Sequence, residues 1–116
     1  MERKVVVLVR QAGLGRTQPP DHEFGLGMFD RFLHAVEGQA TRPRAICFYT
    51  EGVKLVCAGS PVVAGLQLLA GMGVRLAVCG TCLAYFGLSD RVAVGEVVGM
   101  NDIVGLLMEA DHVITV

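Results

Sequence analysis

Residues 74–82 read Val74-Arg75-Leu76-Ala77-Val78-Cys79-Gly80-Thr81-Cys82. Apart from Arg75 near its start, Val74 to Cys79 is a short apolar run without polar alternation, the pattern of a strand buried on both faces, and Gly80 is where the chain turns away. Immediately upstream, Ser60 is placed to cap a helix with Pro61 at its first position. Val62, Val63, Leu66, Leu69 and Ala70 supply its apolar stripe, and Gly71 and Gly73 stop it. Further upstream, Ala45 to Thr50 reads as another strand, joined to that helix by Glu51-Gly52 and an irregular segment through Gly59. Helical and strand periods therefore alternate, which is what a parallel sheet covered by helices requires.

The same alternation extends to both ends. Val5 to Val9 is the first strand, followed by a long loop from Gly13-Leu14-Gly15 to Pro19-Pro20. From Asp21, a suitable N-cap, Met28, Phe29, Phe32, Leu33 and Val36 repeat at three and four residues. Asp30, Arg31, His34 and Glu37 occupy the other side until Gly38. Beyond the central strand, Gly80 to Leu88 is turn-like and Val92 to Val98 is a fourth strand. Asn101 caps a helix through about Glu109, and His112 to Val116 is a fifth strand. The fold class is α/β: a three-layer α/β/α domain on a mainly parallel sheet of about five strands, with right-handed crossovers.

Composition narrows the function. The chain has 116 residues and 12.3 kDa, the size of one domain spanning residues 1–116. Hydrophobic residues make up 53% and charged residues 18%, so disorder is excluded and polar surface is scarce, which points to a homo-oligomer. A net charge of -1 with no basic stripe argues against nucleic acid as a partner. The uncharged stretch from Leu55 to Val74 is interrupted by Ser60-Pro61, Gln67 and four glycines, so it reads as a turn and a buried helix, not a membrane span. Arg10 ends the first apolar run too early for a signal peptide. The expected location is cytoplasmic, where the four cysteines stay reduced.

In an open parallel sheet, ligands bind where loops leave the carboxyl ends of the strands. Cys79 falls on the last residue of its strand, and Cys79-Gly80-Thr81-Cys82 is the sequence's only CxxC. Amides of Thr81 to Leu83, if they open a helical turn, would favour a thiolate there. Four readings stay open on the residues alone: two packing thiols, a zinc site, dithiol redox chemistry and sulfur carriage as a persulfide. Zinc lacks a second ligand pair, since only Cys47, Cys57 and His112 are at hand. The thioredoxin order fails because Pro43 precedes the motif. Cys47 and Cys57 read as packing residues, and Lys54 as a solvated side chain. Glu51-Gly52 borders the same sheet edge as Cys79. Gly13-Leu14-Gly15 is half of a dinucleotide fingerprint without its third glycine.

Gly52-Val53-Lys54-Leu55, Gly59-Ser60, Cys79-Gly80-Thr81-Cys82-Leu83, Tyr85, Gly87-Leu88, Val94-Gly95-Glu96-Val97, Met100, Asp102-Ile103-Val104, Ala110-Asp111 and Val113-Ile114 form an ordered set. With it the chain resembles the DsrE/DsrF-like family, closest to the C-terminal domain of YedF-type sulfurtransferase-like proteins. The resemblance is dense from about Ala45 to Val116. It implies a small α/β/α fold in homo-oligomers, with sulfur carried on a cysteine at this strand end. On that basis Cys79 is the expected sulfur acceptor and Cys82 its partner, with Gly80, Thr81, Gly13, Glu51 and Gly52 as expected substrate contacts. No cofactor and no metal are expected. The expected partners are sulfur donor and acceptor proteins or small persulfides. The rival readings are a non-catalytic oligomeric interaction or regulatory module and a dithiol redox protein.

Overall fold

The computed structural model describes residues 3–116. Five parallel strands form one sheet in the order β4-β3-β2-β1-β5, comprising β1 (Val5–Val9), β2 (Ala45–Phe48), β3 (Arg75–Cys79), β4 (Glu96–Val98) and β5 (His112–Thr115). Helix α1 (His22–Glu37) joins β1 to β2, α2 (Val63–Gly71) joins β2 to β3, and α4 (Met100–Glu109) returns the chain from β4 at one edge to β5 at the other. Strands β1 to β4 advance in one direction across the sheet and β4 to β5 reverses it, so right-handed crossovers put α1 and α2 on one face and α4 on the other. This is the α/β fold that the alternation of periods implies.

Register explains why the central strands carry unbroken apolar runs. Val9, Phe48 and Val78 lie side by side on one face, and Leu8, Cys47 and Ala77 on the other. All six are buried. Helix α1 inserts Phe29 and Leu33 into the core, and the Asp21 carboxylate accepts the Phe24 amide at 3.0 Å, as its capping position requires. Helix α4 adds Ile103 to the core.

Several expected boundaries are corrected. Helix α2 starts at Val63 because Ser60 and Pro61 form a preceding turn, in which the Ser60 hydroxyl accepts the Val62 amide at 3.4 Å. The expected fourth strand shortens to Glu96–Val98, since Val92 bridges antiparallel to Cys57 and the Ala93 amide donates to the Val56 carbonyl. Gly95, at φ +92°, is the pivot between that pairing and the sheet. Helix α4 is capped by Gly99, whose amide donates to the Asp102 carboxylate at 3.3 Å, and not by Asn101. The segment after β2 is a 3₁₀ helix, Thr50–Val56, and the turn-like segment after β3 opens with a short helix, α3 (Gly80–Tyr85).

Candidate functional site

The carboxyl ends of β1, β2 and β3 meet the loop after β1, the 3₁₀ helix and α3. Cys79 ends β3 and, at 1% exposure, is sealed in the core. The expected sulfur acceptor is therefore closed to solvent, because the strand's last side chain points into the sheet's packing. Cys82, three residues on and in the first turn of α3, is half-buried and is the more open of the two thiols. The Cys79 thiol lies beside it.

The amide that touches the reactive edge comes from a segment distant in sequence. Thr50 donates its backbone N–H to Cys82 Sγ at 3.0 Å, across 32 residues. Thr50 follows β2, and β2 pairs directly with β3, so the sheet brings the two together. Its φ of +48° is the one left-handed value at a non-glycine among the described residues, and its hydroxyl lies 2.9 Å from the Arg10 carbonyl and 2.8 Å from that of Tyr49. Burial pushes the Cys82 thiol up, the Thr50 amide pulls it down, and the Cys79 neighbour pushes it up again. The net direction is upward.

The remaining thiols are structural. Burial raises Cys47 to about 11, and Cys57, also raised by burial, donates its S–H to the Val53 carbonyl at 3.3 Å. No three His, Cys, Asp or Glu side chains converge as metal ligands among the described residues.

Beside the thiol pair, the long loop after β1 opens a cleft of about 1110 Å³, lined among others by Arg10, Gly13, Arg16, His22, Glu51 and Lys54. Two of the expected contacts, Gly13 and Glu51, therefore face one cleft, whereas Cys79 and Cys82 do not line it. Gly52 is buried and packs against the end of β1. Gly80 packs beside β4, where a Cβ would lie 3.1 Å from Val97, and Thr81 is exposed on α3. Lys54 spans from the cleft toward α3: its Nζ is 2.6 Å from Glu51 Oε2 and 4.4 Å from the centre of the Phe86 ring. It is thus an anchored cation and not a freely solvated one. Thr50 was not legible as a site residue, because an N–H aimed by a left-handed φ leaves no mark in side-chain type.

A parallel α/β sheet with paired thiols at the carboxyl end of a central strand defines the class of protein. Residues 38–116 match the DsrE/DsrF-like family, and the chain belongs to that family. In fold it is similar to the crystal structure of the ychN protein from E. coli, with a TM-score of 0.72 and 16% identity over 99% of this chain and 100% of the other. It is equally similar to a protein of unknown function, MTH1491, from Methanobacterium thermoautotrophicum, with a TM-score of 0.71 and 20% identity over 99% and 100% of the two chains. No curated protein matches the chain.

Proposed function

We propose that the chain is a sulfur carrier in which Cys82 accepts a sulfane sulfur as a persulfide and Cys79 supports it from behind. The observation that carries this reading is the half-buried Cys82 in the helical turn that follows a central strand, with a second thiol beside it and a backbone N–H on its sulfur. The roles of the two cysteines are therefore exchanged relative to the sequence reading, because a nucleophile has to reach its donor.

The Cys82 thiolate attacks the outer sulfur of a donor persulfide. A new Sγ–S bond forms, the donor's S–S bond breaks, and the electron pair leaves with the donor sulfur, which takes up a proton as a thiol. An acceptor thiolate then attacks the outer sulfur of the Cys82 persulfide, and the pair from that S–S bond returns to Sγ. The two exchanges involve no net oxidation and require no cofactor. Donor and acceptor are protein or small-molecule persulfides and thiols, the setting is cytoplasmic, and the working form is a homo-oligomer. Within the family, the ordered motif set favours the second domain of YedF-type proteins.

The test is intact-mass measurement after incubation with polysulfide. A gain of about 32 Da per chain is expected, lost in Cys82→Ser and retained in Cys79→Ser. Loading that survives Cys82→Ser but not Cys79→Ser would return the acceptor role to residue 79. Because burial raises Cys82, loading should speed up as pH rises through neutrality and the thiolate fraction grows. The same burial favours one second reading, a non-catalytic interaction module. It predicts no loading in any variant.

A further inference from the structure

We propose that Thr50 is a built-in sulfur-orienting residue: its hydroxyl, tied to the carbonyl after β1, locks a left-handed backbone whose N–H holds the negative charge on Cys82 Sγ. The proposal deepens the sulfur-carrier reading and rests on it for the transfer step, although the charge-holding part stands on geometry alone.

Threonine is branched at Cβ and rarely takes positive φ, so a Thr at +48° persists only where its surroundings over-determine it. Those surroundings are visible. The Thr50 hydroxyl is 2.9 Å from the Arg10 carbonyl oxygen, linking the exit of β2 to the exit of β1. Just before it, the Tyr49 amide donates to the Val9 carbonyl at 3.2 Å, so the ladder runs in register up to the residue that turns. The reversal at Thr50 then takes its amide out of the ladder and puts it 3.0 Å from the sulfur. Thr50 itself is exposed, so the hydrogen bond sits at the rim, where a donor or acceptor thiol can approach. The neighbouring Cys79 thiol bears electrostatically on Cys82.

A hydrogen bond to an anionic sulfur is stronger than one to a neutral thiol. The amide therefore contributes little while Cys82 is protonated and most when Sγ is a thiolate. That state is the nucleophile in loading and the leaving group in release, when the electron pair of the S–S bond returns to Sγ. The Thr50 hydroxyl acts only through the amide and is a positioning group.

The experiment reads the alkylation rate of Cys82 against pH, peptide by peptide in the full chain, for wild type and for Thr50→Val, Thr50→Ser and Thr50→Gly. Thr50→Val keeps the branched shape and loses the hydroxyl. It should move the midpoint of the Cys82 profile to higher pH, and each pH unit of that movement slows alkylation at neutral pH by about tenfold. Thr50→Ser should keep the wild-type profile. Thr50→Gly accepts positive φ without strain and lacks the anchor, and it should move the profile in the same direction as Thr50→Val, which covers a Val variant that fails to fold. Unchanged profiles in Thr50→Gly and in folded Thr50→Val would overturn the proposal. Polysulfide loading of the same proteins separates the two claims. A displaced profile with no loading in wild type would remove the sulfur-carrier reading and leave the amide assignment standing, and loading with unchanged profiles would do the reverse.

Discussion

Cys47 illustrates how a thiol becomes structural. It sits in the middle of β2, between Leu8 of β1 and Ala77 of β3, with no solvent exposure. Desolvation raises it from the ordinary 9.0 to about 11, with Arg75 opposing weakly. A folded value above the unfolded one means that the fold favours the neutral thiol. The stability this contributes is complete below pH 9 and is lost as pH rises toward 11. The loss should be on the order of 2 kcal/mol. Urea midpoints across this range are expected to fall more steeply for wild type than for Cys47→Ala, and parallel declines would show that Cys47 does not titrate differently in the folded state. Cys82 differs in that its sulfur is only half-buried and has an amide donor, so its chemistry remains available.

At the level of elements, the site depends on how closely the 3₁₀ helix Thr50–Val56 is pressed onto the end of β1. A Cβ at Gly52 would lie 2.9 Å from the Val9 carbonyl carbon and closer still to its oxygen. Both obstacles are backbone in the core ladder, so neither can yield cheaply. Gly52→Ala should destabilise the protein by about 2 kcal/mol in urea unfolding. It should also displace Thr50 and move the Cys82 alkylation profile in the direction expected for Thr50→Val. A variant of wild-type stability would mean that the 3₁₀ helix moves freely. The alternation of strands and helices was readable in advance because each buried strand is apolar on both faces and α1 carries a cap and a stripe. The 3₁₀ helix was not, because its short hydrogen-bonded turns have no apolar period that extends far enough to be recognised. The shortening of the fourth strand was hidden for a different reason: Val92 to Val94 have strand-like side chains, and pairing with residues 56–58 is a choice between partners, not a propensity.

For the whole molecule, the low charge of the chain reappears as apolar surface on helix α4. Met100, Val104 and Met108 recur every fourth residue on α4 and are all exposed, Met108 at 81%. Val97 and Val113 on the two edge strands are exposed as well. A stripe of this kind on one helix is the surface a second copy would cover. Light scattering after gel filtration at micromolar concentration should show more than one chain per particle, and Val104→Asp with Met108→Asp should reduce it to monomer. Wild-type protein that elutes as a monomer would contradict the assembly. Among the described residues, no helix is long and apolar enough to cross a membrane, so the apolar stretch from Leu55 to Val74 is accounted for by the 3₁₀ helix, α2 and their packing.

Residue order alone was sufficient for the sheet-and-helix alternation and for a cysteine pair at a strand's carboxyl end. Both are local: burial on two faces shows in composition, and a turn after a strand shows in glycine. Which of the two sulfurs faces outward was decided by the turn into α3, which leaves Cys79 inside the sheet and lifts Cys82 toward its rim. The donor on that sulfur was decided by sheet topology, because β2 must lie beside β3 and Thr50 must turn left-handed before an N–H from residue 50 can reach residue 82. A backbone hydrogen bond between distant segments carries no side-chain signature, so only the folded chain could disclose it.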